Sequence, residues 1–281
     1  MNSGVPVESA RDGLYAYGLV DTLPHPLDLP GIDRQHPIYS VVARGLCVLV
    51  SRIAVNTFQR QVRDLFAARN DESACSGIER LLRIHEDVVD LLRQRGPVVP
   101  FKFGTILKDE RAACQMVQAD EEKFKTLLAK FTGKAEWGLK VYVDRQAWIR
   151  HLICCDLEST RPADAQLSRG MAYLRRKKTE EEAKETARAQ LAAIGETIFE
   201  QLSVYACEVR LNETFSRTPG GKELLLNAVY LLADTHAARF CQQGETLRET
   251  YETRGLELAI SGPWSPYSFT EHWEQQPRDG L

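Results

Sequence analysis

The sequence predicts an α+β protein of two domains, on three observations. A chain of 281 residues is long for one compact domain and comfortable for two. Thr132–Gly133 closes a helical stretch and sets the boundary, giving domains at 1–132 and 133–281. Beyond it the elements read strand, helix, strand, strand, helix, strand. This is the ferredoxin-like βαββαβ order, with the first helix lengthened by a charged insert at about 160–185.

The first domain opens with "GLYAYGLV" (Gly13–Val20), a strand by composition, with Leu14, Ala16 and Leu19 among β-favouring neighbours. Between Leu23 and Pro37, Pro24, Pro26, Pro30 and Pro37 each remove a backbone donor and exclude regular structure. "IYSVVARGLCVLVSRI" reads as two strands about a turn at Arg44–Gly45. Two helices should follow. In the second, Ile78, Leu81, His85, Val88 and Leu92 recur at steps of three and four, forming one apolar face that Gly96–Pro97 ends. "VVPFKFGTIL" is a short extended run interrupted by Pro100 and Gly104. Asp109 then caps one helix running to about Phe131, with Ala113, Met116, Asp120, Phe124 and Leu127 along one side.

In the second domain, "AEWGLKVYVD" alternates Trp137, Leu139, Val141 and Val143 on one face of a half-buried strand. A helix begins near Asp144, breaks around Arg161–Pro162 and resumes at about Ser168, carrying "RRKKTEEEAKE". Such a charge run is ordinarily a solvated face, here with Glu180–Lys184 as a favourable i,i+4 pair, so Arg175–Glu185 should project from the body or be mobile. Ala183, Ala187, Leu191, Ile194, Ile198 and Leu202 continue as an apolar stripe. "SVYACEVRL" and "ELLLNAVYLLA" are strands on either side of a turn at Pro219–Gly220–Gly221. A helix runs from about Thr235 to Thr253, and "GLELAISGPW" is the last strand. Gly262–Pro263 should turn the chain sharply, so that Trp264 packs back on the domain core and Trp264→Ala costs about 3–5 kcal/mol.

Composition narrows the function. Lys+Arg of 36 against Asp+Glu of 39 leave a net charge of −3, which gives no electrostatic reason to expect nucleic acid or anionic lipid. No apolar run approaches the roughly 20 residues that span a bilayer, and "MNSGVPVESARDG" has no signal-peptide pattern. The seven cysteines, Cys47, Cys75, Cys114, Cys154, Cys155, Cys207 and Cys241, are odd in number and lack a C-x-x-C pair. They fit a reduced, cytosolic chain whose thiols are mostly small core fillers.

The motifs that could carry chemistry have plainer readings. "RTPGGKE" has Ser216 where a phosphate loop needs glycine and Glu223 where it needs Ser or Thr, so it reads as a hairpin turn. His85, Glu86 and Asp87 are consecutive on a helix and point about a hundred degrees apart, so they cannot converge on one ion. His85 lies on the apolar face as a core histidine, bonded to a backbone carbonyl in the adjacent "PFKFG". Cys154–Cys155 reads as packing. Dinucleotide fingerprints, G-x-S-x-G and H-E-x-x-H are absent, so the sequence offers no enzyme motif, cofactor or metal site. A small-molecule enzyme on a ferredoxin-like scaffold stays as the alternative, because residues distant in sequence can converge.

Three stretches taken together resemble the gas vesicle protein F/L family. They are "GPVVPFKFGTIL" with the upstream "RIHEDVV", then "GKAEWGLKVYVD", then "SGPWSPYSF". Their residues His85, Pro100, Phe101, Phe103, Gly104, Trp137, Gly138, Gly262, Pro263, Trp264, Pro266, Tyr267 and Phe269 carry the likeness and read as structural. Order and spacing match from "GLYAYGLV" to Phe269, and "LLLNAVYLLAD" fits the family's penultimate core strand. Ser265 stands where the family commonly has a second proline. The resemblance implies an N-terminal α+β domain of unusual fold and a modified ferredoxin-like C-terminal domain. It also implies a non-enzymatic gas vesicle protein in the cytoplasm, a minor shell component or assembly factor that binds the hydrophobic main shell protein. Other gas vesicle accessory proteins would be further partners, with no cofactor, nucleic acid or membrane.

Overall fold

The computed structural model describes residues 12–22, 27–67, 72–160, 169–212, 221–252 and 254–270. They form two compact units, one from Met1–Lys134 with Ser265–Leu281 and one from Ala135–Trp264. The first boundary falls two residues beyond Thr132. Residues 265–270, which the sequence assigns to the second domain, belong instead to the first unit.

In the first unit, β1 (Asp12–Val20) is followed by the hairpin β2 (Ile38–Ala43) and β3 (Leu46–Ala54). Arg44 and Gly45 make its two-residue turn at φ 53° and 77°, the left-handed pair that matches the twist of antiparallel strands. Helices α1 (Val55–Ala67) and α2 (Glu72–Arg95) follow, then two short strands, β4 (Val99–Pro100) and β5 (Ile106–Leu107). The sheet runs β2-β3-β1-β4, with β5 also on β1. One edge of β1 thus pairs along β3, while the other is shared: Gly18 and Leu19 face Pro100 and Val99, and Leu14 and Tyr15 face Leu107 and Ile106. The "FKFGT" loop lies between those two short pairings.

Strand alternation sends Tyr15, Tyr17, Leu49 and Ile53 into a core with Phe58, Leu81, Val88 and Leu92 of α1 and α2. Alternate residues Leu14, Ala16, Val48 and Val50 are also buried, so the sheet is covered on both faces. Two helices supply further buried residues, among them Met116 and Phe124, whose ring lies 6.4 Å from that of Phe101. The sequence predicts one helix from Asp109 to Phe131, but the chain forms α3 (Glu110–Ala119) and α4 (Glu121–Phe131). Asp109 caps the first through Ala112 N–H at 2.8 Å. Asp120, at φ −121° and ψ 24°, is at once the C-cap of α3 and the N-cap of α4. The redirection gives two short buried faces, Ala113, Met116 and Val117 on α3 and Phe124, Leu127, Leu128 and Phe131 on α4, in place of one long stripe.

The second unit comprises β6 (Lys134–Val143), α5 (Arg145–Thr160), α6 (Arg169–Ser203), β7 (Ala206–Leu211), β8 (Glu223–Ala233), α7 (Asp234–Glu252) and β9 (Leu256–Trp264). Its sheet order is β7-β8-β6-β9. Leu139, Val141 and Val143, with Leu226, Ala228, Tyr230, Leu232, Leu256 and Leu258, form one core with Leu191, Ile198 and Leu202 of α6 and Phe240 and Leu247 of α7. Helix α6 is 35 residues, about 50 Å of helix. Its apolar stripe serves two partners: Ala183 and Ala187 pack on Ile149 of α5, and Leu191 onward packs on the sheet. Upstream of Ala183 no described side chain of α6 is buried, and Lys184 pairs with Glu180 at 2.9 Å. Helix persists through Ser203, so β7 begins three residues later than "SVYACEVRL" suggests. Most of the "RTPGGKE" turn, the Arg161–Pro162 break and the side chains of Cys154–Cys155 lie outside the described residues.

Candidate functional site

The motif residues gather into two places, one in each unit. In the first unit they surround His85, which is 2% exposed. Its Nε2–H donates to the Phe101 carbonyl oxygen at 2.9 Å. Because a carbonyl only accepts, that bond sets the tautomer, and Nδ1 accepts from the Tyr15 hydroxyl, also at 2.9 Å. The same Tyr15 oxygen accepts from Gly104 N–H at 3.2 Å. Gly104 is at φ 85°, a conformation that strains any residue with a Cβ, and so brings its N–H to the tyrosine. Three hydrogen bonds therefore join β1, α2 and the loop between β4 and β5.

Tyr17 extends the network. It is the extra residue of a bulge in β1, where Ala16 pairs with Val50 and Gly18 with Leu49. Its oxygen accepts from Ile32 N–H at 2.7 Å and shares a hydrogen bond with Ser51 Oγ at 2.9 Å. Its ring stacks on His85 at 5.8 Å, and the Phe103 ring meets His85 edge-on at 6.0 Å.

The end of "SGPWSPYSF" returns to this cluster. Tyr267 packs 6.2 Å from His85, Ser265 and Pro266 are buried, and Phe269 is fully buried with Lys130 Nζ 5.7 Å above its ring.

Burial pushes the His85 imidazole down to about 4, against a smaller opposing effect of the Phe101 carbonyl. Burial likewise pushes Tyr15 up, and raises Tyr17 to about 12 against the hydrogen bonds from Ser51 and Ile32. All three groups are neutral at pH 7, and both imidazole nitrogens are engaged. The arrangement clamps three chain segments together; it does not present a base or a nucleophile to a ligand.

The second gathering joins β6 to β9. The Trp137 ring lies 6.1 Å from Phe240 of the core. Gly262 sits against that indole, and a Cβ there would come within 2.9 Å of it, so the close approach requires glycine. Gly138 faces Ser261 across the pair, and the following bulge places Trp264 opposite Glu136. Here the structure corrects the sequence. Gly262 and Pro263, joined by a cis peptide, continue the strand rather than ending it, and Trp264 is 49% exposed instead of packing on the core. A bulge on an edge strand changes which face its last residues take, and alternation alone cannot foresee it.

Tyr15, Tyr17 and Ser51 are hydrogen-bonding members of the first cluster that the motifs miss. Two tyrosines at alternate positions of an otherwise apolar strand were the available signal. Among the described residues there is no group of three or more His, Cys, Asp or Glu placed to hold a metal, and no helix long and apolar enough to cross a membrane.

The fold and the two clusters define a two-unit α+β protein in which most of the motif residues pack or hydrogen-bond within one unit or the other. The sequence profile described as "Gas vesicle synthesis protein GvpL/GvpF" matches residues 13–271, and the chain belongs to that family. It is similar to gas vesicle protein F of Microcystis aeruginosa, with 23% identity over 265 residues, 92% of this chain and 98% of that one. To gas vesicle protein L1 of Halobacterium salinarum it is 24% identical over 276 residues, 93% of this chain and 91% of that protein. The crystal structure of the gas vesicle protein GvpF from Anabaena sp. PCC7120 shares the fold, with a TM-score of 0.67 at 20% identity over 93% of this chain and 99% of that one.

Proposed function

We propose that this protein is a non-enzymatic factor of gas vesicle formation in the cytoplasm, a minor shell component or assembly chaperone. In this reading it binds the hydrophobic main shell protein, limits its aggregation and helps nucleate the vesicle that gives buoyancy. The observation that carries the reading is the family match across residues 13–271. We further read the second unit as a modified ferredoxin-like domain. Its element order is β-α-β-β-α-β, its sheet places the second, third, first and fourth strands side by side, and α5 with the start of α6 forms the insert.

The physical case starts from the shell protein. A small polypeptide with one gas-facing apolar surface would aggregate before it polymerised unless a soluble binder covered that surface or a strand edge. The second unit has elements suited to such cover. Edge strand β7 is flanked by Val204 and ends in Leu211, 75% and 62% exposed, and Met171, Tyr173 and Leu174 stand exposed near the start of α6.

Binding through apolar surface should survive molar salt, which screens charge within a few ångströms. The test is a pull-down of main shell protein at low and high salt, with and without chelator, beside an immunoblot of washed vesicles. Retention at high salt without metal is expected. Loss at high salt would replace apolar docking with an electrostatic contact, and a metal requirement would replace it with a liganded one.

A further inference from the structure

The turn at residues 31–36 uses up its own polar groups. Gly31 N–H donates to the His36 carbonyl at 2.7 Å, and Arg34 N–H to the Gly31 carbonyl at 2.9 Å. Asp33 Oδ1 accepts from the N–H groups of Gln35 and His36 at 2.9 and 3.1 Å, and Oδ2 lies 2.6 Å from His36 Nδ1. Ile32 N–H is already committed to Tyr17. Gly31 is seated so closely on Ser51 that a Cβ would lie 2.4 Å from it. The turn is thus tied to the buried Tyr17 network and positioned before any ligand arrives.

The side chain of Arg34 remains. Arg34 is held at φ 59° on this turn, with Asp33 engaged by its own backbone. Arg34 and Arg80 of α2 both line one cleft of about 530 Å³, and neither has an ion-pair partner among the described residues. Beneath them, Ile53, Phe58 and Leu81 line the same cleft and are 2%, 6% and 5% exposed. The cleft therefore joins two guanidinium groups that make no direct ion pair to a largely buried hydrocarbon wall, in a volume that takes a few side chains.

Those features discriminate among anions. A planar guanidinium fork matches a carboxylate or a phosphate, so the choice between them falls to the groups around it. A phosphate site would recruit backbone N–H groups, but those of Gly31, Ile32, Arg34, Gln35 and His36 are all consumed within the fold. Asp33 also lines the cleft. Burial pushes its carboxyl up, but the hydrogen bonds from His36 and Gln35 outweigh that and hold it below its ordinary value. An ionised Asp33 repels a dianion more than a single carboxylate.

We propose that this cleft is a docking site for a partner protein's peptide segment in which carboxylate side chains alternate with apolar ones. The carboxylates pair with Arg34 and Arg80, and the apolar side chains pack on the half-buried Ile84 in the same cleft wall. The proposal stands on the cleft and does not depend on the gas vesicle reading.

The experiment is isothermal titration calorimetry of the full chain with acetyl-Leu-Glu-Leu-Glu-Leu-amide, its Gln-for-Glu counterpart and inorganic phosphate. The acidic peptide should bind, and the Gln peptide should bind about tenfold or more weakly. Arg34→Gln and Arg80→Gln should each weaken the acidic peptide about tenfold, the size of one charge-assisted pair, with melting temperature unchanged. Arg188→Gln, on an exposed position of α6, should leave binding intact. The proposal is overturned if the acidic peptide shows no heat of binding at millimolar concentration or if both peptides bind equally. It is equally overturned if phosphate displaces the peptide at matched concentration, which would make this a small-anion site. An equal loss in Arg188→Gln would reduce it to general charge attraction.

Discussion

The core of the first unit holds two phenols, a serine and an imidazole, while that of the second is almost wholly hydrocarbon, Tyr230 excepted. Both cores close a sheet against helices, but they impose different conditions. A hydrocarbon core tolerates small shifts so long as volume is conserved. A buried polar network must be satisfied bond by bond, because each unpaired group costs its desolvation. The first unit therefore gains a defined juxtaposition of β1, α2 and the "FKFGT" loop, and in exchange its stability becomes dependent on pH. The second unit should respond to lost volume and little to mild acid.

The largest break in that contrast is Phe240→Ala. Phe240 is fully buried between Trp137 and Tyr230, and its loss should cost about 4 kcal/mol. Hydrogen exchange should report the loss in β6 to β9 and leave β1 and α2 protected; equal loss in both units would erase the distinction.

Next comes acid. The folded His85 imidazole, at about 4, lies below its ordinary 6.5, so between those values the unfolded chain binds more protons than the folded one. The stability is present above about pH 6.5 and is lost as pH falls toward 4, by about 3 kcal/mol in total. Exchange protection in β1 and α2 measured from pH 7 to 4.5, corrected for intrinsic rates, should show this slope. His85→Leu should flatten it.

A smaller effect should follow Tyr15→Phe. It leaves Gly104 N–H and His85 Nδ1 without their shared hydroxyl and should cost about 2 kcal/mol by denaturant titration of the first unit. A neutral result would mean that the hydroxyl adds nothing to ring packing.

The smallest effect is at Trp264. Half-exposed on an edge strand, it should lose under about 1 kcal/mol on mutation to alanine, far below the cost at Phe240. A loss of several kcal/mol would restore a core role for the indole.

Much of this was legible in residue order. The alternation in "AEWGLKVYVD", the steps from Ile78 to Leu92 and the stripe from Ala183 to Leu202 each set an element and its buried face. The turn at Arg44–Gly45 and the cap at Asp109 were likewise local. The redirection at Asp120 was not, since helical spacing continues through it and only the sheet beneath selects two helices over one. The cleft between Arg34 and Arg80 left no sequence signal at all, because two arginines 46 positions apart share no motif.

The sequence by itself determined most of the elements, the family motifs and the burial of His85, because strand and helix geometry impose periods of about 2 and 3.6 on nearby side chains. Tertiary structure alone decided which distant residues meet. Tyr15 reaches His85 across 70 residues, and Tyr267 returns to the same ring from beyond the second unit. Trp264 stays outside while Phe269, five residues on, is buried. Hydrogen bonds and packing between such residues depend on how strands pair and where they bulge, and those outcomes minimise the free energy of the whole fold, not of any short stretch.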